Sequence, residues 1–152
     1  MINQSKIFEV YESQEKRRQL YTVNLVPGKG VYGEKLIQEE GIEYREWNAS
    51  KSKLAALILK GAPNICIRKN DFVLYLGCAS GTTASHVSDI VGNEGFVFAV
   101  DIAPRVMRDM VFLCYQRKNI APILADANKV DIFKERISAV DVIYQDLAQK
   151  NQ

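Results

Sequence analysis

Val73-Leu74-Tyr75-Leu76-Gly77-Cys78-Ala79-Ser80-Gly81-Thr82-Thr83, residues 73–83, runs from an apolar strand through a loop of small residues into the start of a helix. Small side chains let a ligand approach the backbone, and the free N–H groups of a helix N-terminus offer it donors. A loop of this kind at the carboxyl end of a first strand is where doubly wound α/β folds bind nucleotides. The spacing is neither G-x-x-x-x-G-K-[ST] nor G-x-G-x-x-G, which argues against an ATPase and against a standard dinucleotide fold. Gly77, Ser80 and Gly81 are therefore candidate ligand-lining positions.

The same alternation continues outward from this stretch. After Asp71 the order is FVLYLG, TTASHVSDIV, GFVFAV, PRVMRDMVFLCYQRK, IAPIL, a weaker helical pattern near 128–138, and VDVIYQ. Strand and helix lengths of this kind predict an α/β domain with a parallel sheet carrying helices on its faces. Pro104 suits a first helical turn, and Gly92 follows the last apolar residue of the preceding helix. Pro122 lacks a ladder donor and predicts an edge strand for IAPIL.

Upstream, residues 1–47 alternate short apolar runs with turn residues and read as a small β-rich domain of strands and hairpins. In NASKSKLAALILKG, Asn48 or Ser50 is expected to cap a helix presenting Leu54, Leu57 and Ile58 on one face, with Gly61 ending it. Residues 48–152 then form the second unit.

Three carboxylates follow the later strands in order. Asp101 stands 24 positions after Gly77, where an acid accepts from ribose hydroxyls. Asp126, in LADAN, is placed to meet the exocyclic amine of an adenine, and Asp146, in IYQDLAQ, opens onto the same crevice. Any one of these acids suits a helix cap better. The ordered set predicts one rim.

Composition bounds the rest. At 152 residues, 47% hydrophobic and 25% charged, the chain has the make-up of about one globular domain. It lacks the roughly 20 consecutive apolar residues of a membrane span, and MINQSKIFEV has no secretory signal pattern, so a cytoplasmic address without membrane association is expected. Cys66, Cys78 and Cys114 show no C-x-x-C spacing, so reduced, mostly buried thiols are expected and neither a metal site nor a disulfide framework. The net charge of +2 hides an asymmetry: residues 1–70 hold 12 Lys+Arg against 8 Asp+Glu, and residues 71–152 hold 8 against 10. A basic front fits either an RNA-facing surface or an ordinary solvated one. Lys16, Arg17 and Arg18 fall in it, facing RNA or a protein partner, or simply forming a charged hairpin.

YREWNASKSKLAALILKG, VLYLGCASGTTASHVSDIVG, FVFAVDIAPRVMRDM and VDVIYQDLAQKNQ, together with NLVPGKGVYGEKLI, resemble archaeal fibrillarin across nearly the whole chain. The resemblance implies a Rossmann-like methyltransferase fold, its first four parallel strands present, behind a small N-terminal β-rich domain. It implies S-adenosyl-L-methionine as cofactor and 2′-O-methylation of RNA ribose, chiefly ribosomal RNA with transfer RNA as a further target, in box C/D guide RNA–protein particles. The implied partners are the guide RNA, its target RNA, a Nop-type scaffold protein and a kink-turn-binding ribosomal-type protein.

Residue by residue, the resemblance carries cofactor contacts onto Thr82, Thr83, Asp101, Ile102, Asp126, Ala127, Asp146 and Gln149. Asp101-Ile102 stands where the family usually has Glu-Phe, and Ala125 where it usually has Gly, so weaker binding of the same cofactor is expected. A Lys-Asp-Lys-His catalytic set is implied, of which Lys53 and Asp146 match. Asp146 would orient the lysine or the ribose hydroxyl, and the lysine would help remove the 2′-proton. The second lysine and the histidine belong to strands beyond position 152, and His86 falls at a structural position. Either a longer chain or a second polypeptide is then expected to complete the sheet. The alternative is a catalytically incomplete module that binds cofactor or docks in the particle.

Overall fold

The computed structural model describes residues 1–14 and 17–148. Two sheets are formed. The first is antiparallel and contains β1 (Asn3–Gln4), β2 (Tyr11–Ser13), β3 (Gln19–Val23), β4 (Leu36–Glu39) and β5 (Ile42–Trp47) in the order β1-β2-β3-β5-β4. Between β1 and β2 the chain turns: Ser5 N–H donates to Val10 O, and pairing resumes at Tyr11.

α1 (Lys53–Leu59) links the two sheets. Its cap is Ser52, whose hydroxyl accepts from Ala55 N–H, not Asn48 or Ser50. Asn48 Oδ1 accepts from Ser50 N–H and closes its own turn one step earlier. Leu54 and Ile58 are buried, but Leu57 is 51% exposed and does not share their face. In a helix of 3.6 residues per turn it lies 60° or more from either neighbour, past the edge of the buried stripe.

The second sheet contains β6 (Phe72–Leu76), β7 (Phe96–Asp101), β8 (Ile120–Leu124) and β9 (Val142–Gln145), all parallel, in the order β8-β7-β6-β9. α2 (Thr82–Val91), α3 (Pro104–Gln116) and the short α4 (Val130–Phe133), extended by a 3₁₀ turn at Lys134–Arg136, make the crossovers. Pro104 occupies the first turn of α3, Gly92 closes α2 at φ +72°, and β8 with Pro122 lies at the sheet edge. Ala125 N–H donates to Asp101 O, so by alternation the nitrogen of Pro122 faces away from β7, where no hydrogen bond is lost.

One face of the parallel sheet carries Val73, Tyr75, Val97 and Ala99 into a cluster with Ala84, Val87, Met107 and Met110. Ile7, Val10, Leu20 and Trp47 of the first sheet's segment belong to that same cluster. Each such side chain contributes about 1.5–3 kcal/mol on full burial, so the two sheets are stabilised by one continuous core. The other face gathers Leu74, Phe98, Val100 and Ile123 under Phe133. Ile143, level with Leu74 on that face, is 63% exposed.

Candidate active site

The carboxyl ends of the parallel strands form a rim, and backbone geometry there explains the glycines. Gly77 has φ +82°, and a Cβ on it would stand 2.4 Å from Asp146 O. Gly81, at φ +99°, caps α2 without a side-chain bond, and a Cβ on it would meet Leu113 Cδ2 at 2.6 Å. Glycine is needed at both positions for conformation and for space, because the loop threads between β9 and α3.

Asp101, at the end of β7, braces this loop. Its Oδ2 accepts from Ala79 N–H at 2.9 Å and its Oδ1 from Ala103 N–H at 2.9 Å, so one carboxylate ties the small-residue loop to the start of α3. It also lines a recess of about 220 Å³ with Ile102, Ala127, Leu147 and Asp146. Asp126 is not among the residues lining this recess, although its neighbours Ala125 and Ala127 are. Its Oδ1 accepts from Asn128 N–H and closes the turn before α4.

A second recess, of about 390 Å³, lies on the other side of Gly77, bounded by Ser52, Lys53, Ser80, Thr82, Thr83 and Asp146. Lys53 and Asp146, 93 positions apart, meet here: Lys53 Nζ to Asp146 Oδ1 is 2.5 Å. Lys53 is 77% exposed and Asp146 23%, so the ammonium reaches over the recess from solvent while the carboxylate sits at its wall. Asp146 borders both recesses, as do Gly77 and Ala79, and is the charged side chain that they share.

Beneath this pair lies a set of hydroxyls, of which sequence reasoning singled out Thr83 but not Ser52, Tyr75 or Tyr144. Thr83 Oγ1 donates to Ser52 Oγ at 2.9 Å, coupling the first turn of α2 to the cap of the helix that carries Lys53. Tyr75 adjoins Thr83, and burial raises its hydroxyl pKa strongly, with Tyr144 packed edge-on at 4.7 Å. The signal available in sequence was slight: Tyr75 and Tyr144 are the polar-tipped members of otherwise apolar strands. Thr83, expected at the cofactor, thus turns its hydroxyl onto Ser52, while Thr82 and Ser80 border the open space. Gln149 lies outside the described residues.

His86 is remote from the rim. It is fully buried, stacked on Trp47 at 4.9 Å, and burial together with Arg45 and Arg117 holds its pKa well below 6.5. Thr22 Oγ1 donates to Asp89 Oδ2 at 2.7 Å and lies 2.8 Å from His86 Nδ1, while Tyr32 OH, which donates to Glu46 O at 2.9 Å, lies 2.8 Å from Nε2. Burial pushes the Tyr32 hydroxyl up to about 12. Asp89 is gripped from two sides, by Arg45 at 2.8 Å and Arg117 at 2.6 Å, and Arg45 also pairs with the buried Glu34 at 2.6 Å. Burial alone would raise the Glu34 pKa, but the Tyr32 N–H and the Arg45 charge outweigh it and hold it low. This cluster fastens α2, and with it the loop at its N-terminus, to β3 and β5.

Cys78 is buried and Cys114 half-buried, with thiol pKa values raised by burial, whereas Cys66 is exposed, contrary to the expectation of mostly buried thiols for that residue.

Comparison with known proteins gives a consistent picture. The family model described as fibrillarin matches residues 1–152. The fibrillarin-like rRNA/tRNA 2′-O-methyltransferase of Methanosarcina barkeri is 57% identical over 143 residues, covering 94% of this chain and 62% of that protein. The crystal structure of Aeropyrum pernix fibrillarin with natively bound S-adenosyl-L-methionine superposes with a TM-score of 0.93 at 45% identity, over 98% of this chain and 66% of that one. A chain of a fibrillarin/Nop5p complex superposes at 0.82 with 41% identity, over 96% of this chain and 65% of that one. The chain therefore spans somewhat less than two thirds of the length of these relatives.

Proposed function

Because this chain belongs to the fibrillarin family, we propose that it forms the cofactor-binding part, and one wall of the reaction cleft, of an S-adenosyl-L-methionine-dependent RNA ribose 2′-O-methyltransferase. The observation that carries this reading is the position of Asp146, joining a recess edged by Asp101 to one edged by Lys53. The residues present fit the cofactor. The Asp101 recess is small, mostly apolar and edged by carboxylates, as an adenosine requires, and α2 begins with N–H donors that no side chain caps, as a carboxylate requires. When bound, the cofactor supplies an electrophilic methyl group.

The chain's own residues position and prepare the other reactant. Asp101 keeps the small-residue loop pulled against α3, so the floor of the cleft is set before any ligand arrives. Lys53 and Asp146 present a donor and an acceptor on one side of the cleft, suited to holding a ribose hydroxyl and receiving its proton as the oxygen becomes nucleophilic. The Thr83–Ser52 bond fixes the helix bearing Lys53 to the helix bearing the cofactor loop, and such fixed geometry is what an in-line transfer needs.

Box C/D guide RNA, target ribosomal or transfer RNA, a Nop-type scaffold and a kink-turn-binding protein are the partners we assign. The fibrillarin/Nop5p complex supports the scaffold, and the relatives' names support the RNA targets.

Two measurements test the reading. Titration of the chain with S-adenosyl-L-methionine in a calorimeter is expected to show one saturable site, with affinity reduced at least about ten-fold in Asp101→Ala, in line with the loss of a charge-assisted contact. The full-length protein, reconstituted with guide RNA and scaffold, is expected to transfer labelled methyl to ribose and to lose most of that activity in Asp146→Asn. Absence of cofactor binding in the first assay would overturn the proposal.

A further inference from the structure

The two recesses that flank Gly77 differ in charge. The smaller is edged by two charged side chains, Asp101 and Asp146. The larger is edged by three, Lys51, Lys53 and Asp146, and the ion pair between the last two leaves the Lys51 ammonium as its uncompensated charge. Among the described residues no carboxylate pairs with Lys51. Glu34, whose carboxylate accepts from Tyr32 N–H, is buried and paired with Arg45.

Lys51 is exposed, yet both ends of it are held. Its backbone N–H donates to Asn48 O at 3.1 Å. Its ammonium donates to Tyr32 O at 3.3 Å and lies 5.2 Å from the centre of the Tyr32 ring. Tyr32 is itself fixed to the same turn, since its hydroxyl accepts from Asn48 N–H at 3.3 Å and donates to Glu46 O at 2.9 Å. An ammonium has three donors and this carbonyl takes one, so the cation is positioned over the ring with donors to spare. Lys53, on the other side of the buried Ser52, reaches instead to Asp146 beyond β9.

An RNA strand supplies the anion that this recess lacks. In a ribose, the carbon beside the one bearing the 2′-hydroxyl carries the 3′-phosphodiester, so a 2′-oxygen seated at Lys53 and Asp146 brings a negative charge into the same recess. Asp146 repels that charge and Lys51 attracts it, which turns the phosphodiester away from β9 and towards Tyr32. An A-form duplex displays its 2′-hydroxyls and phosphates along a wide, shallow minor groove, so a target strand paired with a guide offers this contact without any base leaving its pair.

We propose that Lys51 binds the phosphodiester on the 3′ side of the target ribose and so sets the direction in which the RNA strand crosses the site. This subsite rests on the RNA methyltransferase reading above. A phosphate contact carries no sequence information, which fits a substrate selected by a separate guide.

The test uses the full-length protein reconstituted with guide RNA, scaffold and target RNAs in which single phosphodiesters are replaced by neutral methylphosphonates. With the wild-type protein, replacement 3′ of the target ribose is expected to raise the KM for target RNA about ten-fold, as loss of a hydrogen bond between charged groups should. Lys51→Ala is expected to raise KM by a similar factor on the native target and to show no further rise with that methylphosphonate, because both changes remove one contact. It is also expected to lower the slope of log KM against log salt concentration by about one, and Lys51→Arg to restore the slope. A Lys51→Ala protein that responds to the 3′ methylphosphonate as fully as the wild type, a salt slope that does not change, or a fall in kcat with KM unaltered overturns the subsite. So does a wild-type response confined to methylphosphonates at other positions. The native target keeps the two readings apart: a wild-type complex that transfers no methyl to ribose overturns both, whereas one that does so with Lys51→Ala indistinguishable from it overturns the subsite alone.

Discussion

Gly77 and His86 are the residues whose roles can be argued most closely. A methyl group at position 77 would be driven into the Asp146 carbonyl at 2.4 Å while the backbone holds φ +82°. Gly77→Ala is expected to cost about 3 kcal/mol or more in urea unfolding and to shift Asp146 out of register with Lys53, seen as a loss of cofactor affinity. His86 supplies a pH dependence. Its folded pKa lies well below 6.5, so the unfolded chain binds this proton first as pH falls. Its stabilising contribution is complete above about pH 6.5 and declines below that value, with a slope approaching about 1.4 kcal/mol per pH unit. Chemical unfolding between pH 7 and 5 is expected to show that slope, and His86→Asn, with a side chain that does not titrate there, is expected to flatten it from a lower starting stability.

At the scale of elements, α2 is the piece on which the site depends, and Asp89 is its anchor. Both Arg45 and Arg117 pair with that one carboxylate, so Asp89→Asn takes the ion-pair partner from buried Arg117 and leaves Arg45 with Glu34. A loss of about 3–5 kcal/mol is expected, measured as a lowered unfolding midpoint, with weakened cofactor binding as α2 loosens. Little of this anchor was legible beforehand. Arg45 sits in IEYREW as a charge on an alternating strand and counted towards a basic front, yet it lies inside the molecule. Glu34, Arg45, Asp89 and Arg117 are scattered over the chain and become a cluster only when the two sheets pack. The parallel strands and the helices α2 and α3 were legible, because they carry their own apolar periods and Gly77, Gly92 and Pro104 mark boundaries. The helix carrying Lys53 was legible too, but not its cap: Asn48, Ser50 and Ser52 are all competent, and the choice is made by Thr83, 31 positions downstream. Asp101 and Asp146 were found because strand ends in such a sheet converge on one rim. Tyr75 and Ser52 were not, since a buried hydroxyl pointing at another element leaves no local pattern.

For the whole molecule, the shared core predicts a single unfolding transition. Ile7, Val10, Leu20 and Trp47 are in the same cluster as the residues packed on the parallel sheet. Fluorescence of Trp47 and backbone circular dichroism are therefore expected to report coincident midpoints. The outer side of β9 pairs with no strand among the described residues, and Ile143 lies exposed beside it. The 152-residue chain is expected to self-associate with rising concentration in sedimentation experiments, and Ile143→Lys to suppress this, since a charge on an edge discourages strand addition. Its two margins are unlike. On the β8 side, Pro122 turns a donor-less nitrogen outward, so a further strand arriving there would find a rung missing. The β9 side carries no such block. A strand that joins with every rung intact therefore docks at the β9 margin, beside Asp146 and not beside Asp126. Chemistry added by such a strand would fall on the Lys53 side of the cleft, leaving the Asp101 recess as this chain has already shaped it.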